Sequence, residues 1–586
     1  MTSMRSLRRP VLIRDLTWLT LGALAALGGR LVQIHQRQRD HLLSWTDRQR
    51  RSVISIPARR GTIADANGRV MAASSRVPSV FADPNLITDC QTTARRLAAV
   101  LNLDDRILAD DLARRLDRRF FWVKRRVSTE EAEAVKALKL PGIGILHEGQ
   151  RHYPMDERFA HGLGFLSTDG QALAGLELKF DGVLRGQDGY TTVVTDARRR
   201  PIFTDKEAYK APRDGSHVVL TIDTAVQAFA EQALSAAVEQ FGAQGGSVIV
   251  MAPRTGEVLA LANVPTFNPN HYGDYPDSVR CNAAIQSPVE PGSTFKPFIA
   301  AGAVEEKLTW PGDRIFCHNG LYVVGRRRLH DHHPYGTLTF EEVLIKSSNI
   351  GMAILGQRMG NARLHHYVTR FGFGEPTGIE LPGEDAGIVL PLRRWTSYST
   401  TSIPMGQEVA VTPLQLAVAF STLLNDGVRL RPRVVRGIVG PDGSVEQDFS
   451  RPVVVGQVVS PSVARRMVED ILVRVVEEGT GKKASIAGYR VAGKTGTAQM
   501  PYRDRGGYEP DAYVSSFVGA APADEPRALV YLSITRPKKT LGYYGGTVAA
   551  PAVGEILAKT LAYLGVPPSE ERQDTKLVSR VPDVHD

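Results

Sequence analysis

The sequence predicts a membrane-anchored α+β protein with two folded regions, and three observations carry that expectation. From about residue 216 onward, strand-like stretches stand at both ends of a helical middle, which implies one antiparallel sheet closed from distant parts of the chain. A single apolar run lies near the N-terminus. The composition is globular, 42% hydrophobic, 23% charged and 7% aromatic over 586 residues, enough for two to four domains at roughly 100–200 residues each. A disordered chain, a collagen-like fibre and a polytopic membrane protein are excluded, and no fixed-period repeat appears.

The net charge of +10 is concentrated at one end. Residues 1–60 hold twelve arginines and three aspartates, a net +9, so the rest of the chain is close to neutral. A basic leader before a neutral body points to a membrane surface and away from nucleic acid. Residues 1–10 read as a cytoplasmic tail and residues 11–34 as a transmembrane anchor. Leu16–Gly29 is free of charge, shorter than the roughly 20 residues that cross a bilayer. The span therefore needs Arg14 and Arg30 to snorkel to the headgroups, or Arg30 to meet a polar partner. A cleaved signal peptide is the rival, but no A-x-A-like site follows. Arginines flank the span on both sides and leave its orientation undecided. A cytoplasmic N-terminus with a long translocated body is the simplest arrangement. The three cysteines, Cys90, Cys281 and Cys317, exclude a disulfide scaffold, while a Cys281–Cys317 bridge and buried free thiols both stay open.

Residues 35–212 form the first region, mixed in pattern. Arg59–Ala72 (RRGTIADANGRVMA) reads as two short strands around the turn Asp65-Ala66-Asn67-Gly68. Gly175–Gly189 closes the region and Ala211–Gly215 is the linker. No nucleophile, base or metal-ligand constellation occurs here, so a structural or docking module is expected. In the second region, residues 213–566, His217–Ile222 alternates like a strand. Asp223 then caps a helix whose stripe Val226, Phe229, Ala230, Ala233, Leu234, Ala237, Val238 and Phe241 ends at Gly242. Ser247–Met251 and Glu257–Asn263 pair around Pro253–Gly256. Thr339 with Glu342, and Thr412 with Gln415, are capping boxes, and Ser460-Pro461 opens a further helix. Ser515–Ala520 and Ala528–Ile534 are the late strands. Residues 567–586 are a polar tail expected to fray.

Three motifs carry chemistry. In Ser293-Thr-Phe-Lys296 the turn Pro291-Gly292 leads into a helix that places Ser293 and Lys296 on one face. A serine needs a base to become a nucleophile, and a lysine supplies one when burial lowers its pKa. Pro297 has no N–H to offer the Ser293 carbonyl, which is expected to be free for other partners. Ser347-Ser348-Asn349 stands at a helix junction, where a hydroxyl relays a proton and an amide grips a carbonyl, although simple helix capping would explain it equally well. In Lys494-Thr-Gly-Thr497 the strand-like Tyr489–Ala492 leads into a segment where Gly496 admits a substrate backbone and the lysine and threonines hold a carboxylate or orient the proton relay. Gly488–Thr495 matches the phosphate-loop pattern literally, but its apolar strand lies inside the would-be loop, so nucleotide binding is set aside. His330, Asp331, His332 and His333 resemble a metal cluster, yet loop neighbours rarely converge without a distant ligand. No metal and no cofactor are expected, and Arg326–Arg328 reads as a solvated or wall-facing strip.

The order S-x-x-K, S-x-N, K-T-G resembles the penicillin-binding proteins and serine β-lactamases. With RRGTIADANGRVMA, GLELKFDGVLRG, EPGSTFKPF, GQEVAVTPLQLA, SFVGAAPA and YYGGTVAAP, the chain resembles the class B penicillin-binding proteins along nearly its whole length, most like the cell-division branch, with the elongation branch second. The resemblance implies a non-catalytic pedestal over residues 35–212 and a transpeptidase domain, an antiparallel sheet with a helical subdomain, over 213–566. It implies Ser293 as the acylated nucleophile, Lys296 as its base, and Ser347 with Lys494 as the relay to the leaving amine. Asn349 would hold the donor peptide, Thr495 and Thr497 its carboxylate beside Gly496, and the N–H groups of Ser293 and Thr497 an oxyanion hole. Stem peptides and β-lactams are the implied ligands, and a polytopic glycosyltransferase with other division proteins the implied partners. The inner membrane is the implied location. A D,D-carboxypeptidase or β-lactamase-like hydrolase, and a catalytically silent membrane sensor or scaffold, are the alternatives.

Overall fold

A computed structural model describes residues 8–195, 201–502 and 504–568. Most of the polar tail and all but the last residues of the N-terminal tail lie outside these. The chain divides into two units, Met1–Arg59 with Gly186–Gly215, and Arg60–Arg185 with Ser216–Asp586.

The first unit holds one continuous helix, Arg8–Arg50, and a three-stranded antiparallel sheet of Arg51–Ile56, Gly189–Thr195 and Pro201–Lys210. Ile13–Gln36 is a candidate membrane span of 24 residues. The Thr17 and Thr20 hydroxyls donate back to carbonyls one turn earlier, which satisfies them within the helix. Arg30 donates to Gln33 Oε1 (2.8 Å), so its polar partner is on its own helix.

The second unit is built on a five-stranded antiparallel sheet. Its strands are β1 (Gly245–Ala252), β2 (Glu257–Val264), β3 (Ala492–Pro501), β4 (Tyr508–Ala521) and β5 (Ala528–Thr535), in the order β2-β1-β5-β4-β3. Strand alternation sends side chains to both faces. Ile249, Met251, Leu529 and Tyr531 join Phe295, Phe298 and Leu414 in one apolar cluster. Val248, Val250, Val530 and Leu532 join Val226, Leu234, Val553 and Ile556 in another. The second face is covered by α1 (Thr224–Gln240), capped by Asp223 as expected, and by the helix Ala550–Tyr563. On the first face lie α2 (Lys296–Glu305), α3 (Phe340–Ile345), α4 (Asn349–Arg370) and α5 (Pro413–Leu424), and both expected capping boxes are present at α3 and α5. The first eight residues of α2 and all of α5 are buried, which marks central helices rather than surface ones.

A second sheet runs Val445–Asp448, Val435–Val439, His217–Leu220, Ile63–Ala64 and Val70–Ala82. The expected turn is present. Asp65 Oδ1 accepts the Asn67 and Arg69 N–H groups, Gly68 takes a φ of 81°, and Asp65 Oδ2 accepts the Thr224 hydroxyl (2.8 Å). Nearby, the fully buried Glu177 is held by Arg60 (2.8 Å) and Arg151 (2.6 Å). All three cysteines are free, which closes the question of a bridge.

Candidate active site

Three segments meet beside β3, the edge strand of the five-stranded sheet. The first is the turn Gly292–Phe295, a 3-10 turn that runs straight into α2. Ser293 is half-buried and Lys296 fully buried. The turn corrects one expectation, because the Lys296 N–H donates to the Ser293 carbonyl. A 3-10 turn pairs each carbonyl with the third N–H onward, so the missing N–H of Pro297 is never called on. Gly292 donates to the Gly406 carbonyl (3.1 Å), and a Cβ on Gly406 would lie 2.2 Å from Gly292 O. The nucleophile candidate therefore sits on a turn clamped backbone against backbone.

The second segment joins α3 to α4. Ser347 adopts φ 57°, a left-handed conformation costing a non-glycine residue about 1–2 kcal/mol, and Ser348 caps α4. The conformation is held by Lys296, whose Nζ donates to the Ser347 carbonyl (2.7 Å), Ser347 Oγ (3.2 Å) and Asn349 Oδ1 (2.9 Å). The third segment is β3. Lys494 Nζ donates to the same Ser347 Oγ (3.0 Å) and to the Thr495 carbonyl (3.1 Å). One hydroxyl thus links both lysines. With its lone pairs taken by two donors, its proton is left to point elsewhere. Ser293 Oγ makes no hydrogen bond among the described residues; Lys296 turns to Ser347 and Asn349 instead.

Both lysines are stripped of water. Burial pushes Lys296 down to about 7, against the opposing pull of the Asp331 carboxylate. Burial drives Lys494 well below the ordinary lysine range, and the neighbouring Lys296 charge adds to the effect. Amines held below the ordinary lysine range are what a proton-transfer site requires.

Ser293, Asn349 and Thr497 line one open cleft of about 310 Å³. Thr497 Oγ1 accepts the Gly545 N–H (3.1 Å). Thr495 does not line that cleft; its hydroxyl pairs with Thr480 Oγ1 (2.7 Å). Two readings of this segment need correction. The strand does not lead into Lys494–Thr497 but contains it, because pairing with β4 runs from Ala492–Ala520 onward. The glycine at 496 answers to the protein itself: a Cβ there would lie 2.4 Å from Ser516 Oγ and 2.8 Å from Thr294 Cγ2.

Asp331 has a role that sequence reasoning missed. Its carboxylate accepts the Ser348 hydroxyl (2.6 Å) and the N–H groups of Asn349 and Ile350, so it caps α4 from outside. His332 turns to the Tyr544 hydroxyl (2.8 Å). Nothing local signals the Asp331 role, since its partners lie in another element. Thr480 was missed for the same reason. Glu290, inside the EPGSTFKPF motif, also lines the cleft and accepts the Tyr508 hydroxyl (2.9 Å).

Comparison with known proteins agrees with this architecture. The penicillin binding protein transpeptidase domain model matches residues 246–558, and the penicillin-binding protein dimerisation domain model matches residues 55–220. The stage V sporulation protein D of Bacillus subtilis is 36% identical over 521 residues, covering 88% of this chain and 80% of the relative. The peptidoglycan D,D-transpeptidase FtsI of Escherichia coli is 33% identical over 560 residues, covering 93% and 90%. Among solved structures, penicillin binding protein 3 of Mycobacterium tuberculosis complexed with aztreonam superposes with a TM-score of 0.69 at 30% identity, covering 88% of this chain and 98% of that one. With two buried lysines sharing one serine hydroxyl beside its sheet edge and relatives matched over nearly its whole length, the chain belongs to the class B penicillin-binding proteins, of the FtsI and penicillin-binding protein 3 type.

Proposed function

We propose that this protein is a serine D,D-transpeptidase that crosslinks peptidoglycan stem peptides during septal wall synthesis. The observation that carries the reading is the unbroken path Lys296–Ser347–Lys494, two buried amines on one hydroxyl, beside a cleft that Ser293 lines. Ser293 Oγ attacks the carbonyl of the D-Ala–D-Ala bond and its proton passes to the neutral Lys296. The oxyanion is received by the N–H groups of Ser293 and Thr497, with single donors of this kind worth about 10²–10³ in rate. The close approach of the two segments supports that pairing, since a Cβ on Gly292 would lie 3.3 Å from Thr497 O.

The tetrahedral adduct collapses to an acyl-Ser293 ester. The departing D-alanine amine takes the Ser347 hydroxyl proton, Lys296 passes to Ser347 the proton it took from Ser293, and Lys494, donating to the same hydroxyl, orients the relay. An amine from a second stem peptide attacks the ester, forms the crosslink and returns the proton to Ser293. Asn349 Oδ1 is committed to Lys296, and one N–H of its amide donates to the His330 carbonyl (3.1 Å), leaving the other for a donor-peptide carbonyl. Thr497 holds the terminal carboxylate. Thr495 supports it from behind through Lys494 and Thr480, and Gly496 keeps β3 against the Ser293 turn. β-Lactams acylate the same serine.

Residues 11–34 anchor the protein in the inner membrane, with residues 1–10 cytoplasmic and the body periplasmic. Residues 35–212 serve as the non-catalytic pedestal and 213–566 as the catalytic domain. A polytopic glycosyltransferase and other division proteins are the partners we assign to the anchor and pedestal.

The test is labelling of the full chain with fluorescent penicillin, followed by mass spectrometry of the adduct. Wild type is expected to carry one adduct on the peptide containing Ser293 and Ser293→Ala none. Labelling that persists in Ser293→Ala would sink the assignment.

A further inference from the structure

A second cavity, of about 220 Å³, lies within the second unit and shares no lining residue with the cleft of Ser293. One wall is the segment Glu157–His161, inside the region that the dimerisation domain model matches. The rest comes mainly from α1 and β2, through Glu231, Leu261 and Ala262. Phe159, Leu261 and Ala262 give it an apolar surface. An apolar cavity of about 150 Å³ is enough to take benzene, so this one has room for a ring and a short chain.

Its charge is one-sided. Glu157 and Glu231 both line it, and among the described residues no lysine or arginine does. Glu157 is exposed, and its side chain makes no hydrogen bond or ion pair among the described residues. Glu231 Oε1 is occupied, accepting the Phe159 N–H (3.0 Å) and the Gln227 amide (2.8 Å). Its Oε2 has only a long contact with Arg158 (3.4 Å), which does not itself line the cavity. Burial lifts the Glu231 pKa above the ordinary glutamate value, a penalty that a cation beside it relieves.

His161 supplies a further acceptor. It is 8% exposed, and its ring lines the cavity edge-on to Phe267 at 5.2 Å. Nε2 donates to the Val279 carbonyl (2.9 Å), so Nδ1 is left as an acceptor with no partner among the described residues. Burial holds His161 down to about 4, which keeps the ring neutral at pH 7. Two carboxylates and a neutral imidazole around an apolar surface call for a ligand with N–H donors, a positive charge and an apolar body.

We propose that this cavity binds a small organic ammonium, its nitrogen held by Glu231 and the His161 imidazole and its apolar body against Phe159, Leu261 and Ala262. The site goes beyond the transpeptidase reading and does not depend on it. A bound molecule ties the Glu157–His161 segment to α1 and β2.

The test uses the full chain in detergent, with 2-phenylethylamine as the probe and 2-phenylethanol as its neutral counterpart. Calorimetric titration, with detergent matched in cell and syringe, gives Kd for each. Wild type is expected to bind the amine at least about 10-fold more tightly than the alcohol, the equivalent of one charge-assisted contact. Glu231→Gln should bring that ratio close to one. Ala262→Leu fills the cavity and leaves both carboxylates in place, so it should abolish binding of both probes. Fluorescent penicillin labelling at Ser293 should be retained in both variants and shows that each is folded. If Glu231→Gln fails that control, Glu157→Gln at the exposed carboxylate takes its place and should lower the ratio. Wild type that binds neither probe, or binds both alike, overturns the proposal, as does amine binding that survives unchanged in Ala262→Leu. Wild type that prefers the amine yet takes no penicillin refutes the transpeptidase reading and leaves this site standing.

Discussion

Replacing Asp331 by Asn tests how the proposed base is tuned. The carboxylate accepts three hydrogen bonds at the start of α4, from the Ser348 hydroxyl and the Asn349 and Ile350 N–H groups. An asparagine oxygen can keep the two N–H bonds, but its amide nitrogen cannot accept from Ser348. Turning one charge-assisted bond into none costs about 1–2 kcal/mol, and removing a negative charge from a helix N-terminus adds about 0.3–1 kcal/mol. A loss of about 2 kcal/mol follows, visible as a Tm lower by a few degrees in a domain of this size, where each kcal/mol shifts Tm by no more than about 2–4 °C. The kinetic consequence has the opposite sign. Asp331 favours the ammonium form of Lys296, so without it the pKa falls below its present value of about 7. Penicillin acylation of wild type should rise with pH through about 7 as Lys296 loses its proton, and in Asp331→Asn that limb should move to lower pH although the protein is less stable. Stopped-flow acylation across neutrality, beside a melting curve, reads both effects. A limb that moves to higher pH, or stays put, refutes Lys296 as the titrating base.

Ser347→Ala removes the hydroxyl shared by Lys296 and Lys494; peptide turnover should fall by about 10²–10⁴, read by D-alanine release, with the protein still folded by circular dichroism. Gly496→Ala sets a methyl 2.4 Å from Ser516 Oγ and 2.8 Å from Thr294 Cγ2. It should lower stability by about 1–3 kcal/mol and slow penicillin acylation by pushing β3 off the Ser293 turn. Arg151→Ala leaves the fully buried Glu177 with Arg60 as its remaining charge partner, a change expected to cost about 3–5 kcal/mol in chemical denaturation. An unaltered denaturation midpoint would show that the buried cluster is not the staple its geometry suggests.

What could be read from the chain beforehand was what its neighbours determine. Asp223, Thr339 and Thr412 announce helix starts because a cap bonds within three residues. The apolar run Val248, Ile249, Val250 and Met251 announces a strand, which the structure buries on both faces. The three motifs were legible as short strings, and their convergence only through resemblance. Features that depend on distant partners were not. Asp331 meets α4 from an element 17 residues away from Ser348, so it looked like part of a histidine cluster. Gly496 seemed to make room for substrate until Thr294 and Ser516 were found in that space. Proline chemistry at Pro297 misled because it presumes an α-helical turn, and the local hydrogen bond chose the 3-10 form instead.

The glycine contacts around Ser293 bear on how resistance to an antibiotic can arise. Any side chain at Gly406, Gly496 or Gly545 would strike Gly292 O at 2.2 Å, Ser516 Oγ at 2.4 Å, or Ser516 O at 2.2 Å. Substitution at these positions is opposed by the fold itself, whatever drug is present. Escape is therefore channelled to the cleft's rim, to Arg328, His330, Gln407 and Gln499, where a changed side chain can alter inhibitor fit while the serine stays in place.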